Sequence, residues 1–326
     1  MTLRVHLLDS PEDNALAVLH AHLDADVSLT FGREPASPAN FHILVAGRPE
    51  RAHLSLSPEL RQLVIPFAGI PPTTCAMMRD FNHIAVHNLH HNAALTAEMA
   101  MALLLSAAKF IIPYDRALRA HDWTPRYRPN LSLRLEGQTA LVLGFGAIGT
   151  RVARACWGLG MQVLGIRRKP QAEIPGFPVE IYPPQALDDL LARARVLVIT
   201  LPATPATNSL IGARELALMP RGGLLVNIGR ASIVVEQALF EALECGQLAA
   251  AGMDVWYNYP SDQASRANTP PANLPFHQLE NVVMSPHRAG HAEDTETLRM
   301  TALADLLNKA AHGQPIPNRV DLDAGY

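Results

Sequence analysis

Short apolar runs alternate with longer stretches in which apolar positions recur every three or four residues. The runs Arg4–Leu8, Phe41–Ala46, Leu63–Ile65 and Ile84–Val86 make a first series of candidate strands. Thr139–Leu143, Gln162–Ile166, Val196–Thr200, Leu224–Asn227, Ala249–Met253 and Val282–Ser285 make a second. Strand–helix alternation of this kind predicts right-handed βαβ units and parallel sheets, an α/β fold. The second series is almost unbroken apolar sequence, the pattern of strands covered on both faces. A long helical pattern from about Thr96 to Arg119 separates the two series. Thr96 is its candidate cap, Glu98 sits in its first turn, and Pro113 is expected to kink or divide it. The stretch Met99–Ala108 falls short of the about 20 apolar residues of a membrane span and reads as buried helix. His121–Leu135 is irregular and rich in Pro and Arg. Its Trp123 and Tyr127 are candidate core residues, but such a segment more often lies across a partner or a neighbouring domain. A last helix is expected over Ala292–Ala311, with Leu298, Ala302 and Leu306 on one face.

A length of 326 residues predicts about two domains. Lys plus Arg number 27 against 30 Asp plus Glu, a net charge of −3, so no basic field invites a nucleic-acid partner. Cys75, Cys156 and Cys245 lie far apart and show neither metal spacing nor an even disulfide framework. They fit a reducing, cytoplasmic compartment. The opening MTLRVHLLDS has no apolar core and no small-residue cleavage site, so no signal peptide and no membrane partner are expected.

The strand Thr139–Leu143 runs straight into Gly144-Phe-Gly146-Ala147-Ile148-Gly149, and a helical pattern with Ile148, Val152 and Cys156 follows. A GxGxxG between a strand and a helix is a dinucleotide-binding fingerprint. Gly144 permits the tight turn, Gly146 lets backbone approach a pyrophosphate, and Gly149 lets the helix pack close. The helix N-terminus and its free N–H groups attract the phosphate charge. An NAD site carries an acidic residue about 20 residues past this loop, on the ribose. Here Arg167, Arg168 and Lys169 stand there instead. Three cations suit a 2′-phosphate, so NADP(H) is expected over NAD(H).

At this point the chain resembles the D-isomer-specific 2-hydroxyacid dehydrogenases, which include glyoxylate/hydroxypyruvate reductases. The matching pieces are Ala68-Gly69-Ile70, Asn88-Leu-His-His-Asn92 with Ala97-Glu98, the glycine loop, and Leu201-Pro202-Ala-Thr204-Pro-Ala-Thr207. Leu225-Val-Asn-Ile-Gly-Arg230, Gly252-Met-Asp-Val255 and Ser285-Pro-His287 complete the series. The resemblance implies two Rossmann-like domains with parallel sheets. Residues 1–95 and 294–326 would form a discontinuous, flavodoxin-like substrate domain, and residues 96–293 the dinucleotide-binding domain. It also implies a homodimer through the cofactor domain, which would give the 120–136 segment a role.

Reduction of a 2-oxo acid needs a hydride donor, an anchor for the carboxylate and a proton for the oxygen. Arg230 follows a strand at the carboxyl edge, where a guanidinium can bind the carboxylate and polarise the carbonyl. His287, after Val282–Ser285, can give or take the proton. The resemblance makes these the catalytic pair. The family's usual Glu partner for the histidine is replaced by Tyr259 in Asp254-Val-Trp-Tyr-Asn-Tyr259. A phenol can orient the imidazole but supplies no negative charge, which lowers the expected activity pKa. Asp262 is an alternative carboxylate. By the same resemblance Asp254 binds the nicotinamide carboxamide, and Leu201, Thr207, Ile228, Gly229 and Gly290 lie along the cofactor. Ala68, Gly69 and Ile70 present N–H groups to the substrate carboxylate. His83, His87, His90 and His91 lie close in sequence but lack a zinc pattern, and no metal is expected. Two other readings remain open: a formate-dehydrogenase-like enzyme, favoured by the missing Glu, and a non-catalytic cofactor-sensing protein.

Overall fold

A computed structural model, describing residues 2–34, 39–129, 132–168 and 176–326, arranges the strands in two parallel sheets. The chain divides into one unit of residues 1–92 and 291–326 and a second of residues 93–290. The first unit contains β1 (Leu3–Leu7), β2 (Val27–Phe31), β3 (Ile43–Val45), β4 (Gln62–Ile65) and β5 (Ala85–Asn88), in the order β2-β1-β3-β4-β5. The second contains β6 (Thr139–Leu143), β7 (Gln162–Ile166), β8 (Glu180–Tyr182), β9 (Val196–Ile199), β10 (Gly223–Asn227), β11 (Leu248–Met253) and β12 (Val282–Met284). Their order is β12-β11-β10-β9-β6-β7-β8, with the chain starting inside the sheet at β6 and winding outward on both sides. Both units are α/β.

In each unit one core lies on either face of the sheet. Val5, Val45 and Val64 face Leu303 and Leu307 of the helix Thr295–Ala311, while Leu44, Leu63 and Val86 face the opposite core. The helix Ala93–Lys109 lies on the second sheet through Ala100, Leu103, Leu104 and Ala107. Its approach is close: a Cβ on Gly252 of β11 would stand 2.7 Å from Leu103 Cβ. Among the described residues no single helix is long and apolar enough to cross a membrane.

Several expectations are corrected. Thr96 is buried inside the helix Ala93–Lys109 and is not its cap, and Glu98 lies beyond the first turn. The helical pattern divides at Phe110, which takes φ 52°, not at Pro113. Pro113 sits in the first turn of Ile111–Arg119, where a missing N–H leaves no helical bond unmade. The last helix spans Thr295–Ala311, and its buried face is Met300, Leu303, Ala304, Leu306 and Leu307, so Leu298 and Ala302 lie at its margin. Trp123 and Tyr127 are 61% and 80% exposed and belong to no core. Strands β2 and β8 went unexpected; both are sheet edges.

Candidate active site

The second unit places nearly all its candidate residues just beyond the carboxyl ends of successive strands. His287 follows β12, Asp254 β11, Arg230 β10, Leu201 and Thr207 β9, the glycine loop β6, and Arg167 with Arg168 β7. In doubly wound sheets ligands bind along this edge, where the strand order reverses. Here that point falls between β6 and β9.

The Tyr259–His287 contact joins the segments that follow β11 and β12. The Tyr259 hydroxyl lies 2.8 Å from Nδ1 of His287. The same phenol oxygen accepts the Trp256 N–H at 3.2 Å, which leaves the phenol hydrogen to be shared with the imidazole. Burial raises the Tyr259 pKa, Arg230 pulls it down and Asp254 pushes it up. The arginine, phenol and buried carboxylate thus share one electrostatic neighbourhood. The phenol remains protonated at neutral pH.

His287 takes φ 58°, a backbone state that side chains other than Gly, Asn and Asp seldom adopt. A dense clasp holds it there. Asp254 is fully buried, and its carboxylate accepts bonds from Ser285 Oγ at 2.6 Å, Arg288 N at 2.9 Å and Ala289 N at 3.0 Å. Trp256 Nε1 donates to Ser285 O at 2.8 Å. Asp262, the alternative partner, is spent on its own turn: it accepts the Ser265 N–H at 2.8 Å, a bond that holds its carboxyl below the usual range.

Arg230 is exposed at the end of β10, and the turn that presents it is held from below. Asn227, fully buried, accepts the Gly229 N–H at 3.0 Å and donates to Arg230 O at 3.0 Å. Gly229 has no room for a side chain, because a Cβ would meet Leu201 O at 2.5 Å. The Leu201–Thr207 loop is closed by Thr207 Oγ1, which accepts from Thr204 N at 2.8 Å and donates to Pro202 O at 2.7 Å. Ile228 is buried behind this turn. The bracing role of Asn227 was not singled out from sequence; a polar residue at the end of an apolar run was its only signal.

The glycine loop fits a dinucleotide phosphate. Gly144 has φ 105°, and a Cβ on Gly149 would fall 2.0 Å from Gly144 O. A Cβ on Gly146, by contrast, meets no protein atom within 4 Å, so that side of the loop is open. The helix Ala147–Gly158 begins here and brings the first-turn N–H groups that a helix leaves unpaired, among them Ala147 and Ile148. Phe145 folds under Gly165 of β7, which tethers the loop to the strand that precedes Arg167. Lys169 lies outside the described residues.

In the first unit, Ala68, Gly69 and Ile70 follow β4, and the Ala68 carbonyl accepts Asn88 Nδ2 at 2.6 Å. Of the clustered histidines, His87 pairs through Nδ1 with Pro317 O at 2.8 Å. Among the described residues no group of three His, Cys, Asp or Glu side chains is placed to hold a metal ion.

Comparison with known proteins follows the same outline. Residues 101–289 match the model of the D-isomer specific 2-hydroxyacid dehydrogenase, NAD binding domain. The glyoxylate reductase of Korarchaeum cryptofilum is 34% identical over 69% of this chain and 65% of its own length. The D-3-phosphoglycerate dehydrogenase of Archaeoglobus fulgidus is 34% identical over 71% of this chain, which spans only 41% of that protein. This chain thus aligns with less than two thirds of either relative. The glyoxylate/hydroxypyruvate reductase B of Pectobacterium atrosepticum is 30% identical over 93% of this chain and 94% of its own. A D-isomer specific 2-hydroxyacid dehydrogenase from Xanthobacter autotrophicus Py2, solved with NADPH and MES, shares the fold, with a TM-score of 0.81 over the whole of both chains at 24% identity. The chain belongs to the D-isomer specific 2-hydroxyacid dehydrogenase family.

Proposed function

We propose that this chain is an oxidoreductase that transfers a hydride between NADP(H), or less readily NAD(H), and a small 2-oxo or 2-hydroxy acid of the glyoxylate or hydroxypyruvate type. The observation that carries the reading is the Tyr259–His287 contact of 2.8 Å beside the exposed guanidinium of Arg230. Relatives named glyoxylate reductase and a fold neighbour solved with NADPH point the same way.

The cofactor, bound at the glycine loop, supplies the hydride chemistry. Gly144, Gly146, Ala147, Ile148 and Gly149 receive its phosphates, and Arg167 and Arg168 its 2′-phosphate. Leu201, Thr207, Ile228, Gly229 and Gly290 lie along it. Three of the roughly four acceptor sites of the Asp254 carboxylate hold the histidine loop, and the one left over serves the carboxamide. Arg230 binds the substrate carboxylate and draws charge onto the carbonyl oxygen. His287, oriented by Tyr259 through Nδ1, gives the proton to that oxygen from Nε2. Ala68, Gly69 and Ile70 hold the carboxylate through backbone N–H groups. Protonated His287 is the acid of the reduction, so the rate falls as pH rises through its apparent pKa.

The proposal extends to a homodimer through the cofactor domain. The helix Ile111–Arg119 buries none of its residues; Ile111 and Leu118 on it, and Trp123 and Tyr127 after it, are exposed. Sedimentation should find a dimer, and Leu118→Asp a monomer. The free thiols Cys75, Cys156 and Cys245 fit a reducing cytoplasm, and burial pushes the Cys156 thiol up to about 12. NADPH absorbance followed with glyoxylate, hydroxypyruvate and pyruvate, and NAD reduction with formate, test the activity. Turnover of formate alone, or tight cofactor binding with no turnover of any acid, overturns the reading.

A further inference from the structure

We propose that Asn88 is a positioning residue for the loop Ala68–Ile70, and that the chain's C-terminal segment is the brace that fixes Asn88. The inference rests on the reading of that loop as the holder of a substrate carboxylate. Asn88 ends β5, is 5% exposed, and spends its amide hydrogen on Ala68 O at 2.6 Å. A trans peptide holds its C=O and the following N–H in one plane, pointing in opposite directions. Pinning Ala68 O inward onto Asn88 therefore turns the Gly69 N–H away from it, outward from the sheet end. Without that bond the peptide plane is free to rotate, and the donor loses its direction.

Asn88 is itself clasped by the far end of the chain. Its backbone N–H donates to Asn318 O at 3.1 Å, and its carbonyl accepts Asn318 Nδ2 at 3.1 Å. On either side, His87 Nδ1 meets Pro317 O at 2.8 Å, and Val320 N donates to Val86 O at 2.8 Å. An antiparallel bridge joins His87 to Arg319. Residues 317–320 thus cover the free edge of β5, the last strand in its sheet. Asn318 takes φ 55°, a state that Asn tolerates better than most residues. The Asn88 Oδ1 is enclosed without a partner, so the side chain is retained there at a cost, and its bond to Ala68 is what it does.

The test uses the full chain with NADPH and glyoxylate. Asn88→Asp keeps the shape but offers an acceptor to the Ala68 carbonyl. It should raise the glyoxylate KM about tenfold, leave kcat within about threefold, and leave NADPH affinity unchanged. Asn88→Ala should do the same, and Asn318→Gly, which keeps the positive φ but removes the clasp, should raise KM less. An unchanged KM in Asn88→Asp and Asn318→Gly overturns the proposal, as does a parallel fall of kcat, NADPH affinity and thermal stability. Hydrogen exchange of the Gly69 amide separates the two readings. If the wild type reduces no 2-oxo acid, the functional reading fails; faster Gly69 exchange in Asn88→Asp still upholds the brace, and unchanged exchange overturns it.

Discussion

The two parallel sheets present very different carboxyl edges. Along the second, strand ends offer side chains with chemistry of their own: a guanidinium after β10, an imidazole after β12 and cations after β7. Along the first, the candidate loop after β4 offers Ala68, Gly69 and Ile70, which can contribute only backbone. The supporting bonds differ accordingly. In the second unit they fix side chains and a strained backbone: Asp254 alone holds three groups of the His287 loop. In the first, one buried amide fixes one peptide plane. The same architecture thus exposes backbone at one edge and charged or titratable side chains at the other.

The sharpest way to break that division is to remove the imidazole. His287→Asn should lower kcat/KM for the 2-oxo acid by about 10²–10⁴-fold, the usual worth of a general acid. NADPH affinity, measured by fluorescence titration, should hardly change. A single alanine substitution in the loop after β4 that matched this loss would erase the contrast between the edges.

A smaller effect is expected at the end of β7. Arg167→Asp should cut the ratio of kcat/KM for NADPH over NADH by about tenfold or more, because it swaps attraction of a 2′-phosphate for repulsion and offers a ribose acceptor. An unchanged ratio would remove Arg167 from the cofactor site.

Next comes Tyr259. Replacing the phenol by a carboxylate, as Tyr259→Glu, stabilises the imidazolium and should raise the apparent pKa for reduction by about one unit or more. Reduction needs the protonated ring, so the variant should stay active to higher pH than the wild type. Tyr259→Phe should lower kcat and alter the profile, because the ring loses its Nδ1 partner. Identical pH profiles for all three proteins would show that the 2.8 Å contact orients nothing.

Much of this was legible in the sequence, for a physical reason. Strands β6, β7, β9, β10 and β11 are covered on both faces, so they read as apolar runs, and the turns after them carry the motif residues. Edges carry no such signal. Strand β2 alternates in exposure along Val27–Phe31, and β8 has only three residues, all at least partly exposed. The break at Phe110 depends on one left-handed residue with no local marker, while Pro113 looked like the breaker and proved a tolerated first-turn residue. The clasp of Asn88 by Asn318 joins positions 230 apart, and no local pattern can announce a pairing at that range.

The smallest effect concerns stability and belongs to the first unit. Burial, reinforced by Arg299 and His90, lowers the His91 pKa from 6.5 to about 4. Its Nδ1 is enclosed without a hydrogen-bond partner. Between those two values the unfolded chain binds a proton at this ring and the folded chain does not. Acid therefore favours unfolding through that window, the full contribution standing above pH 6.5 and the loss complete below about 4. His91→Gln removes the titration. Its thermal midpoint should fall less than the wild type's on going from pH 7.5 to pH 5, by about one to three degrees, since solvent screens a ring that is only partly buried. Arg299→Gln should act in the same sense, by withdrawing the charge that helps keep the ring neutral. If both variants lose as much stability in acid as the wild type, the acid response of this unit arises at other groups, such as His87 in β5, whose pKa burial also lowers.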